Sequence, residues 1–273
     1  MKCDKPRYLD WLTSINHSFK TIDGNHVKLL ELTHQPDDTI LSLWAKHFRE
    51  HYCKDHEIDN LLSGTGYNRK SFLLNLVFPD EVNAPGPSIR AGDFSEILLA
   101  DFLEYILEYW VPRHRYDEKN IRNESTKGAD IIGFKFDTSV GKPTDTLVIF
   151  EVKATLSKKS DGNRLQDAID GSKKDFNVRK AESLNALKRR LIKDGHLSDA
   201  KIVERFQNKI DHPYKEKSGA AVVISSSLFD KSIISNANAS DHPNNKSLML
   251  IIISGNDLMS LTHELYRRAA DEA

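Results

Sequence analysis

Glu151 and Lys153 close an apolar run, LVIFEVKATLS, that extends from Leu147 to Ser157. Side chains two apart on a strand share a face, so these charges continue the row begun by Leu147 and Ile149. The opposite face carries Val148, Phe150 and Val152, and both faces therefore read as buried. A carboxylate and an ammonium are too costly to bury unless each meets a counter-charge or a metal. Asp130 supplies a second acid. It opens GADIIGFKF, a strand with Asp130, Ile132, Phe134 and Phe136 on one face. The intervening DTSVGKPTDT has turn chemistry. A hairpin centred near Gly141 puts Asp130 eleven residues before the centre and Glu151 ten after it. Opposed residues in such a pair have Cβ atoms ~4.5–5.5 Å apart, close enough for both carboxylates to hold one hard cation such as Mg²⁺.

A third acid comes from the segment before. GDFSEILLADFLEYILEYW, Gly92 to Trp110, is apolar enough for a helix packed on a sheet. At 3.6 residues per turn Glu96 shares a row with Ala100, Leu103 and Leu107, while Asp101, Glu104 and Glu108 form a separate polar stripe. An acid in a first helical turn can simply serve the helix dipole, but Asp93 already fills that role. Glu96 is therefore expected to face the same site.

Helical Glu, then GAD opening a strand, then IFEVK closing the next, resembles the PD-(D/E)xK nuclease superfamily. Within it the chain is most similar to the HamA family, the nuclease subunit of the Hachiman antiphage system, and to its close relative AbpA. The resemblance is clearest from Ile89 to about Leu156. Ala129 stands where the superfamily's name has Pro, a residue that only shapes backbone. The resemblance implies a restriction-endonuclease-like α/β core, a mixed central sheet flanked by helices. It further implies phosphodiester hydrolysis of DNA with Mg²⁺ or Mn²⁺, and a superfamily-2 helicase partner (HamB-like). Asp130 and Glu151 would ligate the ion, with Glu96 acting through a water or on a second ion. The Val152 backbone carbonyl is a further ligand in this reading, and Lys153 would orient the water or offset charge on the phosphate. A binding subunit that does not cut, and an RNase, are the alternative functions.

Net charge is −1, which by itself excludes indiscriminate DNA binding, but the charge is unevenly spread. Between Val152 and Lys217 there are 17 Lys/Arg against 10 Asp/Glu, a surplus of seven, and the rest of the chain has a deficit of eight. Lys158, Lys159, Lys173, Lys174, Arg179 and Lys180 are the DNA-contact candidates, with Lys188, Arg189 and Arg190 in the same zone. Such a patch would suit a phosphate backbone, whose binding is mostly charge neutralisation.

Two regions are expected. Residues 1–88 form an α-rich accessory extension, a candidate docking surface, with an amphipathic helix over Asp38–Tyr52. Residues 89–273 form the nuclease domain. Its order is helix, a short strand near Arg113–Tyr116, strands Asp130–Phe136 and Leu147–Ala154, a helical zone from about Leu165 to Ile210, strands Gly219–Ser226 and Ser247–Ser254, and a helix from Asn256. The segment APGPS reads as a breaker before this domain. Hydrophobic content of 39% with 29% charge fits a globular chain, and the longest apolar run, Leu248 to Ile253, is too short for a bilayer. No signal peptide is expected. Only Cys3 and Cys53 occur, without zinc spacing, so a reducing cytoplasm is the expected location.

Two motifs mislead. GTGYNRKS, Gly64 to Ser71, nears a phosphate-binding loop, but Arg69 stands where the second Gly is needed. His47 and His51 at i, i+4, with His56 nearby, have metal-ligand spacing, yet no neighbouring acid or Cys completes a set. They read as exposed or satisfied histidines.

Overall fold

A computed structural model describes residues 4–15, 19–113, 116, 119, 121–124, 126–137, 141–157 and 162–273. Seven strands form one mixed sheet. They are β1 (Leu12–Ser14), β2 (Phe19–Lys20), β3 (His26–Leu32), β4 (Ile131–Lys135), β5 (Thr146–Thr155), β6 (Lys215–Ser225) and β7 (Leu248–Gly255). The order is β1-β3-β7-β6-β5-β4, with β2 also on β3. Strands β3, β7, β6 and β5 run parallel, while β4, β1 and β2 pair antiparallel at the edges.

The apolar runs explain the parallel centre, because a strand covered on both faces has no need to alternate. On β6, Ala221 and Val223 enter one apolar layer, whereas Ala220, Val222 and Ile224 enter another. On β5, Val148, Phe150 and Val152 face the first layer, and Leu147 and Ile149 face a third. Helices α1 (Asp38–Glu50), α2 (Ile58–Leu62), α3 (Arg69–Phe72) and α4 (Gly86–Asp101) precede β4. Helices α5 (Arg164–Lys174), α6 (Lys180–Lys193) and α7 (Leu197–Gln207) lie between β5 and β6, and α8 (Lys231–Ser235) and α9 (Leu258–Asp271) follow. Residues from α1, α4 and α9 fill the first layer, α5 the second, and α6 with α7 the third. The expected helix–sheet–helix layering is what forms.

The hairpin register also agrees. Ile131 pairs with Phe150 and Lys135 with Thr146, so extending the ladder by one residue sets Asp130 beside Glu151. Other expectations need correction. Residues 1–88 carry α1 to α3, but β1, β2 and β3 also lie there, and β3 pairs with β7 from Val27↔Leu250 to Leu32↔Gly255. One apolar cluster runs from Tyr8 through Trp44 and Phe48 to Tyr266 and Ala270. Arg49 Nη1 donates to the Ala269 carbonyl at 2.8 Å, tying α1 to α9. These residues are thus part of the common core and not an α-rich extension, and the boundary set at residue 88 falls inside α4.

The segment APGPS starts α4 instead of ending an element, with a proline in the first turn, where the missing N–H costs nothing. No strand forms near Arg113–Tyr116 among the described residues, where His114 and Arg115 lie outside them. Trp110 bridges Phe134 there. Arg69 pairs with Asp59 and Asn68 caps α3, so the Gly64–Ser71 segment is a turn and cap.

Gly219 shows how closely β5 and β6 approach. A Cβ there would lie 2.3 Å from the Phe150 ring. Gly219→Ala should therefore destabilise the protein by about 1–3 kcal/mol, the usual cost of overpacking, as read by urea unfolding. An unchanged midpoint would show that Phe150 moves freely.

Candidate active site

β5 carries the two charges into the sheet's end. Glu151 is only 6% exposed, and Lys153 is half-buried, with its ammonium donating to Glu151 Oε1 at 2.6 Å. Burial pulls the Lys153 pKa down, but the Glu151 hydrogen bond and the Glu151 and Asp130 charges outweigh it and leave it raised. Lys153 therefore stays a cation.

Asp130 is delivered by the turn before β4. Gly128 has φ of +101°, backbone that a residue with a side chain rarely adopts. The Ala129 N–H donates to Ser183 Oγ of α6 at 3.1 Å. A proline at 129 would have no N–H to give, so Ala129 keeps an anchor to α6 that proline would lose. The Asp130 carboxylate accepts from the Val152 N–H at 2.9 Å. In an antiparallel ladder a residue's N–H and C=O leave by the same edge, so the Val152 carbonyl faces the β4 side where Asp130 sits.

Glu96 lines the same cavity as Asp130, Glu151, Val152 and Lys153, a space of about 750 Å³. Because α4 begins at Gly86, Glu96 is well inside the helix and cannot be a first-turn dipole acid. Asp93 has no such role either. It is buried, paired with Lys119 at 2.5 Å and bonded by the Tyr52 hydroxyl at 2.6 Å. Tyr116 donates to Glu96 Oε2 at 2.7 Å and also lines the cavity. Asp101, read as part of a solvated stripe, is fully buried.

Sequence reasoning missed Asp175. It follows α5 in a π-helical turn, Asp175–Arg179, is 1% exposed, and stands against Glu151. Its signal was legible, since the buried row Leu165, Ala168, Ile169, Ser172 reaches Asp175 at the next helical step. Burial, then the Glu151 charge, pushes its carboxyl up to about 7, although Arg179 acts the other way. Arg179 Nε lies 3.0 Å from Asp175 Oδ1, and Arg179 Nη2 lies 3.9 Å from Glu151 Oε2. Gly171 makes room for this crowding, because a Cβ there would lie 2.5 Å from Glu151 Cγ.

With the carboxylates ionised, Glu151 Oε2 and both Asp175 oxygens are buried without a hydrogen-bond donor. Arg179 offsets part of this charge, and a proton or a second cation would offset the rest. Oxygen ligands of this kind fit a hard divalent ion, so the residues present fit Mg²⁺ or Mn²⁺.

The basic patch divides. Arg179 and Arg190 line the cavity wall. Lys180 pairs with Glu216 at 2.6 Å and Lys188 with Glu204 at 3.7 Å, so neither faces the acids. Lys173 and Lys174 sit in the last turn of α5, outside the cavity lining. Lys158 and Lys159 lie outside the described residues.

Fold and site together define a mixed α/β protein with a carboxylate–lysine centre at the end of a core strand. Compared with family models, the chain matches the HamA model over residues 6–269, and it belongs to the HamA family, which supports a part in Hachiman antiphage defence. No curated protein matched the sequence. No helix among the described residues is long and apolar enough to cross a membrane.

The Asp175 shift has a sign. Its folded carboxyl keeps a proton up to about 7, whereas the unfolded one releases it near the ordinary carboxylate value of 3.8. The folded state then binds more protons in that window, and stability falls as pH rises through it. In EDTA-treated protein the melting temperature should fall from about pH 5 to about pH 8, and Asp175→Asn should flatten that slope. Parallel profiles for the two proteins would remove Asp175 from the titrating centre.

Proposed function

We propose that this protein is a Mg²⁺-dependent endonuclease of the PD-(D/E)xK type, the DNA-cutting subunit of a Hachiman complex. The observation that carries the reading is the meeting of Glu96, Asp130, Glu151 and Lys153 in one cavity at the end of β5. Family membership supports the defence role, and the resemblance of Glu96, GAD and IFEVK to the superfamily pattern supports the chemistry.

Asp130, Glu151 and the Val152 carbonyl would hold the ion, with Glu96 reaching it through water. When bound, the ion polarises a phosphoryl oxygen and acidifies a water. Lys153, kept cationic by Glu151, orients that water or offsets charge building on the phosphate. Asp175 shares a proton or the ion's charge with Glu151, so that both acids can remain out of water. Arg179 and Arg190 on the wall would neutralise flanking phosphates.

Purified protein should nick plasmid DNA only with Mg²⁺ or Mn²⁺, and Asp130→Ala and Glu151→Ala should each abolish cleavage and weaken calorimetric metal binding. Lys153→Ala should lose at least ~10²-fold in kcat with metal binding intact, and Glu96→Gln should lose activity at an unchanged Tm. Unaltered metal affinity in both acid variants sinks the assignment. RNA substrates run in parallel decide between DNase and RNase, and DNA binding without cutting by intact protein would favour a binding subunit.

A superfamily-2 helicase is the proposed partner, because near-zero net charge and a chain with no motor motif leave target choice to another subunit. Residues 1–88 are the proposed docking surface, and Leu61, Tyr67, Leu76 and Val82 are exposed there at 54%, 42%, 47% and 80%. Deletion would remove β3 from the sheet, so substitution is the better test. Leu76→Asp with Val82→Asp should reduce co-purification of the helicase at least ~10-fold, the loss of about 1.4 kcal/mol, with nicking retained. Full recovery of the complex would place the interface elsewhere.

A further inference from the structure

A second set of side chains converges on one point, away from Asp130 and Glu151. His47 on α1 and His51 at its C-terminal cap are four residues apart and share a face. Asp101, the last residue of α4, packs against them. His51 Nε2 lies 3.3 Å from His47 Nε2, and His47 Nε2 lies 3.1 Å from Asp101 Oδ1. The two imidazole planes stand at 82°. Asp101 is fully buried and His51 nearly so, while the His47 side chain is 26% exposed. His56, the third histidine of the motif, is exposed and takes no part. The missing acid was invisible in the sequence because it comes from 54 positions away.

Protons cannot satisfy this geometry. A hydrogen on His47 Nε2 can point at Asp101, and it then leaves the His51 Nε2 lone pair facing an N–H already engaged. A hydrogen on His51 Nε2 can point at His47, which then sets its own lone pair against the Asp101 oxygen. Protonating His47 fully adds its second hydrogen at Nδ1, on the far side of the ring. A cation accepts all three lone pairs at once. Tetrahedral Zn²⁺, with bonds of ~2.0–2.2 Å, sets neighbouring ligand atoms roughly 3.3–3.5 Å apart, near the 3.3 and 3.1 Å of the two contacts above, and all three ligand atoms lie within 4.8 Å of one another.

The surroundings are those of held ligands. Tyr8 donates to Asp101 Oδ2 at 2.6 Å and Arg113 Nη2 to Oδ1 at 2.8 Å. Arg113 is itself shared with Glu104, at 3.0 and 2.6 Å, so its charge does not belong to Asp101 alone. Partners of this sort fix the orientation of metal-binding carboxylates.

We propose that His47, His51 and Asp101 form a binding site for a transition-metal ion of the Zn²⁺ class. Two imidazoles and one carboxylate select such an ion over Mg²⁺. The site is separate from the Asp130–Glu151 centre, and it would pin α1 to the end of α4. His51 and Arg113 line the nuclease cavity, and the Tyr116 ring lies 6.4 Å from that of His51 with its hydroxyl on Glu96. The ion would thus stiffen the wall that carries Glu96.

The test uses the full chain stripped with EDTA and titrated with Co²⁺ or Zn²⁺ alone. Glu151→Ala should take up one equivalent and wild type at least that, each with the intense visible bands of tetrahedral Co²⁺ and a higher Tm in Zn²⁺. His47→Gln, at the most exposed ligand, should bind at least ~10-fold more weakly and lose the Tm rise. Equal affinity in wild type and His47→Gln overturns the proposal, as does uptake that vanishes in Glu151→Ala instead. X-ray absorption at the zinc edge of the wild-type protein needs no variant, and absence of imidazole scattering would also overturn it. Because the Glu151→Ala arm keeps this site, its failure and that of the nuclease reading are told apart.

Discussion

Two carboxylates facing each other out of water, Glu151 and Asp175, are the constraint around which this molecule is organised. Like charges so placed cannot both remain ionised without help. The cost is held in place by packing. Glu151 sits on a strand buried on both faces, and α5 approaches so closely that only Gly171 leaves room for the side chain. Lys153 and Arg179 relieve part of the charge, but three carboxylate oxygens still have no donor. Packing therefore keeps these acids together at a cost that the rest of the fold must offset.

The neighbouring polar groups are handled in the opposite way. Asp93 meets Lys119 and Tyr52, and Asp101 meets Tyr8, His47 and Arg113. Burial alone would raise the Asp101 pKa, and the His47 and Arg113 charges reverse that and keep it low. Lys119 and Arg113 belong to the segment between α4 and β4, so these buried pairs also bind that segment to the core. Asp93 is thus held by a counter-charge and a hydroxyl, whereas Glu151 and Asp175 keep buried oxygens that no hydrogen bond reaches.

Local patterns carried most of the site. The alternation in LVIFEVK and the turn residues before it were enough to set Asp130 beside Glu151, because hairpin register depends only on nearby sequence. Glu96 was legible for a similar reason, as a charge on an apolar helical row. Asp175 obeyed the same rule but was hidden in a basic zone read for its net charge. The role of Asp101 could not be read at all, since its partners come from Tyr8, α1 and Arg113, and long-range pairing leaves no local trace. The short strands β1 to β3 were missed because their membership in the sheet is decided by β7.

That last dependence reaches into how the protein is made. Strand β3 is synthesised well before its parallel neighbour β7, from which more than 200 residues separate it. The apolar layer that holds Phe150 and Val152 also holds Leu261, Leu265 and Tyr266 of α9. Contacts so distant along the chain form slowly, and an unmatched strand edge waits exposed meanwhile. A truncated translation product would therefore carry every acid of the centre and lack the scaffold that presses them together. Assembly of the centre therefore waits on the synthesis of β7 and α9.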